Sequence, residues 1–393
     1  MDLLTDLFKA YYDARRNKRN TPSQLRFESH LEENLIELYE ELRDHRYSPR
    51  PCTCFVIEDP VKREVFASDF RDRVVHHLYY NYVAPIFERT FIYDSYSCRE
   101  GKGTLFGISR LEHHLRAVTN NYTQEAYILK LDIQGYFMSI RRELLLEKVL
   151  GTLNNFWNRK ISKADPAKGF KALTWADVVP RELVEWLSRV IILKDPLKKC
   201  HVRGRESDWD GLPPSKTLRC SPPNVGLPIG DLTSQLFSNV LLNDLDWFVT
   251  RTLGFTHYGR YVDDFFLCST DKNALKQAID EIRNYLADRG LTLHPKKIVL
   301  QRATERIRFL GAEVYPYCRR VRSRTVVKFN KVSSNFMSQN AQTPFDDAQK
   351  HYATSVLNSY LGYFKHFNTY LWLSQIAMLL YESFPIHYEG IHS

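Results

Sequence analysis

The sequence predicts an α+β fold, an antiparallel sheet with helices packed on one face, and three observations lead there. Between residues 126 and 300 the segments alternate as strand, helix, insertion, helix, β-hairpin, helix and strand, an order that layers helices against one sheet. AYILKLDIQGYF (126–137) is nearly filled with apolar residues up to Asp132, as in a buried strand. HYGRYVDDFFLC (257–268) reads as two strands folded at a tight turn over paired aspartates.

The remaining elements follow in chain order. Residues 1–50 are charged and helical, with Leu31, Leu35, Leu38 and Leu42 at helical spacing. Residues 52–66 predict two short strands broken at Asp59-Pro60. Helices are predicted over 74–90, 105–120, 141–153 and 180–193. A long, polar, Pro-rich stretch then runs to about 225, and a loop of that length inside a compact domain is usually functional or an insertion. Residues 231–250 form an amphipathic helix with Asp231 at its N-cap and Leu232, Leu236, Val240 and Leu241 on one face. A helix over 271–289 closes at Gly290, residues 291–328 are mostly strand, and residues 346–383 are helical and aromatic.

Composition narrows the class. Of 393 residues, 44% are hydrophobic and 26% charged, which is globular and leaves little room for disorder. No apolar run approaches the roughly 18 residues that span a bilayer. The N-terminus carries acids early and lacks an apolar stretch, so it is no signal peptide, and a cytoplasmic location is expected. The odd count of seven cysteines agrees with free thiols in a reducing compartment. Cys200-His201 with Cys220 fits no strong zinc spacing, so unliganded side chains are expected. Lys and Arg exceed Asp and Glu by 55 to 46, and 13% of the residues are aromatic. Basic residues interleaved with flat rings suit nucleic acid, provided the charge clusters.

The chemistry centres on Asp132, Asp263 and Asp264. Acids inside apolar strands are costly unless something neutralises them. A divalent cation does so, since Mg²⁺ takes oxygen ligands from one or two carboxylates and substrate phosphates. If the two strands are neighbours, three carboxylates converge as in two-metal sites.

Tyr261-Val262-Asp263-Asp264 at a strand–turn–strand resembles the central motif of reverse transcriptases. LKLDIQGYF is similar to their preceding aspartate motif, and GLPIGDLTSQLFSNVLLNDLD (226–246) to the motif between them in its bacterial form. The resemblance runs from about residue 50 to about 325. It implies a right-hand polymerase: N-terminal helices and fingers over 1–125, a palm over 126–312 with an insertion at about 154–225, and a helical thumb over 313–393. It further implies an RNA-templated DNA polymerase with a two-metal mechanism. Two Mg²⁺ ions, replaceable by Mn²⁺, would be held by Asp132, Asp263, Asp264 and the Ile133 backbone carbonyl. Phe137, five residues past Asp132, matches the steric gate that excludes a ribose 2′-OH. Ile229, Gly230 and Gln235 match the nucleotide pocket. Lys62 and Arg63 in VKREVF would grip the triphosphate, with Arg71 and Arg73 as further candidates. HPKK (294–297) matches the motif whose lysine protonates pyrophosphate, with Lys296 assigned and Lys297 open beside it. Arg99 and Lys102 in SYSCREGKGT would contact template, and Gly311 in FLG the primer. CRRVRSRTVVKFNK (318–331) has six basic residues and no acid, and its Arg319, Arg320, Arg322 and Arg324 read as template–primer contacts.

Expected partners are an RNA template, its DNA product and deoxynucleotides, with an accessory protein or a second copy of the chain as further candidates and no membrane. Nothing resembling RNase H, integrase, maturase or endonuclease follows the primer motif, and LPIGDLTSQ resembles the diversity-generating branch of bacterial enzymes. The expected role is copying a dedicated non-coding RNA in bacterial antiviral defence, with a diversity-generating retroelement or a retron as the alternative. A catalytically inactive RNA-binding scaffold is the alternative of a different class.

Overall fold

The computed structural model describes residues 2–16, 20–59, 61–162, 173–381 and 383–386. The chain opens with α1 (Leu3–Arg15), α2 (Pro22–Glu28) and α3 (Leu31–Arg43). Asp2 caps α1 by accepting from the Leu4 and Thr5 amides, and α3 buries Leu35, Leu38 and Leu42 as its spacing predicts. A hairpin follows, β1 (Thr53–Ile57) and β2 (Arg63–Ala67), with the break predicted at Asp59-Pro60 between the strands; Pro60 lies outside the described residues. Next come α4 (Phe70–Glu88), against which α1 packs, and α5 (Thr104–Val118).

β3 (Tyr127–Asp132) leads into the short α6 (Tyr136–Ser139), then α7 (Arg142–Asn154), the short α8 (Trp175–Val178) and α9 (Arg181–Leu193). Residues 163–172 of the predicted insertion lie outside the described residues. Its later part is no free loop. β4 (His201–Val202) adds to β1 in parallel, and Glu64 on β2, 0% exposed, binds the rest. The Trp209 indole N–H donates to Glu64 at 2.8 Å, the Thr217 hydroxyl at 3.1 Å and the Leu218 amide at 2.7 Å.

Then come α10 (Leu232–Trp247), β5 (His257–Tyr261), β6 (Asp264–Ser269), α11 (Lys272–Ala287) and β7 (Val299–Arg302). β5-β6-β3-β7 form one antiparallel sheet. Alternate residues of its inner strands enter two cores. Leu129, Leu131, Phe265 and Leu267 pack with α7, α10 and α11, while Ile128, Phe266 and Cys268 pack with α5. The sheet is therefore covered on both faces, beyond the single helical face predicted. Burial on both sides is why β3 reads as a continuous apolar run.

β8 (Ile307–Phe309), β9 (Ala312–Tyr315) and β10 (Cys318–Val321) make a third sheet, followed by α12 (Ser323–Gln342), α13 (Asp347–Phe364) and α14 (Tyr370–Tyr381). These elements share the second core with α5, β3 and β6, and a division at 312/313 would cut the β8–β9 hairpin. Residues 323–328 are helical, not strand as predicted, and begin a helix whose Phe329 and Ser333 lie one turn apart on a buried face. Residue 382 and residues 387–393, within the predicted last helix and thumb, lie outside the described residues. No helix among the described residues is long and apolar enough to cross a membrane.

Candidate active site

β3 and β6 pair in register from Tyr127↔Ser269 to Asp132↔Asp264. The register follows from the alternation above, since a one-residue slip would exchange both apolar faces. Asp263 occupies the two-residue turn between β5 and β6, beside the same strand end. The Ile133 amide donates to the Asp263 carbonyl at 3.1 Å and the His294 amide to the Asp132 carbonyl at 2.8 Å, which ties β3, the hairpin tip and the 293–297 segment together. The fold thus gathers the three acids that the sequence singled out.

Each outer acid has a lysine. Lys297 Nζ lies 2.7 Å from Asp132 Oδ2, and Lys130 Nζ lies 3.7 Å from Asp264 Oδ1. Burial, reinforced by the charge of Asp132, pushes the Asp263 carboxyl up to about 7. Burial also raises Asp264 to about 6, against the opposing pull of Lys130. As they stand, no three acidic, His or Cys side chains among the described residues converge tightly enough to hold an ion. Lys297, rather than the exposed Lys296 assigned from the motif, reaches the acids; Lys296 turns its amide to His294 Nδ1. Spacing could not choose between adjacent lysines, because the 294–297 turn sets which one faces β3.

Phe137 is half-buried on α6, its ring 5.6 Å from that of Tyr136, and its carbonyl accepts from the Leu227 amide at 2.8 Å. Ile229 and Gly230 lie against the β1–β2 hairpin. The Phe66 amide donates to the Ile229 carbonyl at 2.8 Å, and a Cβ on Gly230 would run into the Phe66 carbonyl. The close approach that requires glycine here is to β2. Gln235 is exposed on the first turn of α10. Asp231 occupies the N-cap of that helix as predicted, but its side chain makes no capping hydrogen bond; its carboxylate stands 3.6 Å from His76 Nε2. Gly311, at φ +86°, completes the β8–β9 turn beside the Tyr363 hydroxyl.

Several predicted phosphate contacts are already engaged within the chain. Arg99 is a correction: its side chain is 7% exposed, and it donates to Glu88 and to the Ile92 and Ser95 carbonyls. The loop it closes uses up its fork. Lys102 donates to the Tyr93 carbonyl and lies 4.5 Å from that ring's centre, and burial lowers its ammonium to about 8. Lys62 donates to the Asp210 carbonyl of the insertion at 2.8 Å, while Arg63 is exposed. Arg71 is buried against Glu41 and Asp72. Arg319 braces α5 through Ser109 at 3.0 Å and Glu112 at 3.6 Å, whereas Arg320, Arg322 and Arg324 are exposed. Missed from the sequence were Glu64, Lys297 as the partner of Asp132, and Arg260 with Asp246 beneath the hairpin; each stands inside a quoted motif, but its partner is chosen by tertiary contacts that spacing does not record.

Residues 158–314 match the family model described as reverse transcriptase (RNA-dependent DNA polymerase). The match takes in α10 and the paired aspartates but begins after β3. No curated protein matches the chain. Among solved structures, it is similar to apo telomerase from Candida tropicalis truncated of its C-terminal domain, at 13% identity and TM-score 0.45, over 75% of this chain and 60% of that one. It is also similar to apo telomerase from Candida tropicalis, at 12% identity and TM-score 0.47, over 73% and 52%. A third is Candida tropicalis telomerase with a TWJ fragment of telomeric RNA, at 13% identity and TM-score 0.46, over 87% and 58%. The chain spans between about half and three fifths of the length of these structures. The α+β arrangement of antiparallel sheets and helices is a reverse transcriptase-like fold, and the chain carries a reverse transcriptase domain.

Proposed function

We propose that this chain is an RNA-templated DNA polymerase and that Asp132, Asp263 and Asp264 are its metal ligands. The observation that carries the reading is the direct pairing of Asp132 with Asp264, with Asp263 in the adjoining turn. The donors fit a hard divalent cation: they are carboxylate oxygens, and two of the carboxyls are raised by burial and mutual repulsion that a cation relieves. Two Mg²⁺ ions, or Mn²⁺ in their place, held there and by the Ile133 carbonyl, would activate the primer hydroxyl and stabilise the leaving pyrophosphate.

The chain's own residues supply the rest. Lys297 Nζ, hydrogen-bonded to Asp132, is placed to give a proton to the leaving group. Phe137 presents a ring five residues beyond Asp132, where it excludes a 2′-OH. Ile229 and Gly230, laced to β2, set the exposed Arg63 and Gln235 around the nucleotide. Gly311 supports the primer end, and Arg320, Arg322 and Arg324 hold backbone phosphates of the hybrid.

The test is extension of a DNA primer on RNA by the purified chain with Mg²⁺, supplied with dNTPs or with NTPs. Extension with dNTPs only, lost in Asp264→Ala, is expected. Extension with NTPs alone, or hybrid binding without extension, overturns the reading. For the biological role, we read synthesis of cDNA from a dedicated non-coding RNA in bacterial antiviral defence. Its support is the resemblance of the LPIGDLTSQ string to bacterial enzymes, together with the insertion anchored on Glu64, which stands against a close diversity-generating match. A template/variable repeat pair beside the gene overturns that role in favour of a diversity-generating retroelement.

A further inference from the structure

The two acids of the hairpin sit on a turn that its own sequence disfavours. Val262 is β-branched, yet its φ is +55°, in the left-handed region that such side chains avoid. Two hydrogen bonds hold the turn from beneath. The Ile133 amide donates to the Asp263 carbonyl, and Arg260 Nη1 donates to the Val262 carbonyl at 3.1 Å. Arg260 is 0% exposed, and the surrounding groups dictate where its fork points. Nε and Nη2 each lie 2.6 Å from one Asp246 oxygen, Nη1 lies 3.2 Å from Asn239 Oδ1, and Nη2 lies 3.3 Å from Ser95 Oγ. The Tyr258 hydroxyl donates to the same Asp246 at 2.6 Å, and the Asn239 amide donates to the Ser97 carbonyl at 2.7 Å.

We infer that Arg260 is a positioning residue for DNA synthesis: oriented by Asp246, its guanidinium holds the Val262 carbonyl and so fixes the left-handed turn that presents Asp263 and Asp264. The inference rests on the polymerase reading and adds to it the device that aims the acids. A buried ion pair is weak evidence for stability, since apolar residues of similar volume often serve a fold as well. What apolar residues cannot do is donate to a turn carbonyl from a rigid fork already anchored on a carboxylate. A lysine cannot make both contacts at once either, because its ammonium is a single point.

The experiment uses the full chain with Arg260→Lys, Asp246→Asn, and Val262→Gly added to Arg260→Lys. Melting temperature, affinity for an RNA–DNA hybrid, kcat and the Mg²⁺ concentration for half-maximal rate are measured for each. Arg260→Lys should melt near the parent and bind hybrid as tightly. Its kcat should fall about 10²-fold, the scale of an ångström-level misplacement, and it should need more Mg²⁺. Asp246→Asn, which keeps the volume and an oxygen for Tyr258, should shift the same way. Adding Val262→Gly should recover part of the rate, because glycine takes positive φ without strain. Parental kcat and Mg²⁺ dependence in a folded Arg260→Lys overturns the inference. So does a fall in melting temperature, hybrid affinity and kcat together without rescue, or failure of both single variants to fold, since the pair would then be structural. A parent that extends no primer refutes the polymerase reading itself; a parent that extends beside an unaffected Arg260→Lys refutes only the role of Arg260.

Discussion

Asp132 and Asp264 stand directly opposite each other at the ends of β3 and β6, and each carboxylate is met by a lysine from a different part of the chain, Lys297 and Lys130. The pairing brings two negative charges together at one strand end, with Asp263 as a third. Burial itself disfavours the charged forms and repulsion from Asp132 adds to it, which holds Asp263 and Asp264 above the usual carboxylate range.

The metal-free chain should lose stability as pH rises. Asp263 and Asp264 have folded values of about 7 and about 6, above the ordinary 3.8. A raised acid favours the fold while it is protonated, so that contribution is full below the unfolded value and is lost as pH passes through the folded ones. A divalent ion competes with those protons. The rise in Tm on adding Mg²⁺ should therefore be larger at pH 8 than at pH 5.5. An equal or larger rise at pH 5.5 would remove these acids from the metal site.

Lys297→Ala should lower kcat by about 10²-fold, as expected for loss of a general acid, with little change in hybrid affinity. Lys296→Ala should stay near the parent rate, since it is Lys297 that pairs with Asp132. Single-turnover rates for the two variants decide the matter, and a reversed order restores Lys296.

Gly230→Ala should be severe. The new Cβ meets a backbone carbonyl, Phe66 O, that cannot turn aside, and φ at this position is +142°. A loss of about 2 kcal/mol or more is expected, or displacement of the β1–β2 hairpin from α10 with a raised KM for dNTPs. Thermal melting with unchanged Tm and unchanged KM would show that the hairpin does not rest on this glycine.

Phe137→Val should admit ribonucleotides while DNA synthesis continues, since the proposed gate then loses the bulk of its ring. The ratio of rNTP to dNTP incorporation on one template measures this. An unchanged ratio assigns Phe137 to the core beside Tyr136.

Replacing Arg320, Arg322 and Arg324 together by Ala should flatten the salt dependence of hybrid binding by roughly 0.7–0.9 in log–log slope for each phosphate that no longer meets a guanidinium. Arg319→Ala should act differently. It removes a brace to Ser109 and Glu112, so Tm should fall more than the slope changes. A slope unaltered by the triple variant would route the hybrid elsewhere.

Local pattern was enough for the acids and the strands that carry them. Asp132, Asp263 and Asp264 close runs whose alternation is set by two apolar faces, and a side-chain period of two leaves one workable register. The heptad-like leucines of α3 were legible for the same reason, since that helix buries one face regardless of its neighbours, and Gly290 marked the end of α11. The roles of long cations were not legible. Arg99 and Lys102 look like phosphate ligands in sequence, yet both end their reach on carbonyls of a neighbouring loop. The 195–224 stretch reads as a loop because its partner, Glu64, lies more than a hundred residues earlier.

The sequence by itself determined where the acids stand, because the apolar runs fix the strands that Asp132 and Asp264 end, and acids so placed must be neutralised by a partner or a cation. Tertiary structure alone decided which carboxylate each cation meets: Lys297 rather than Lys296 beside Asp132, Arg260 on Asp246 beneath the hairpin, Arg99 folded inward on Glu88. A flexible charged side chain reaches several ångströms in any direction, so its partner is chosen by where distant segments pack, and no local spacing records that choice.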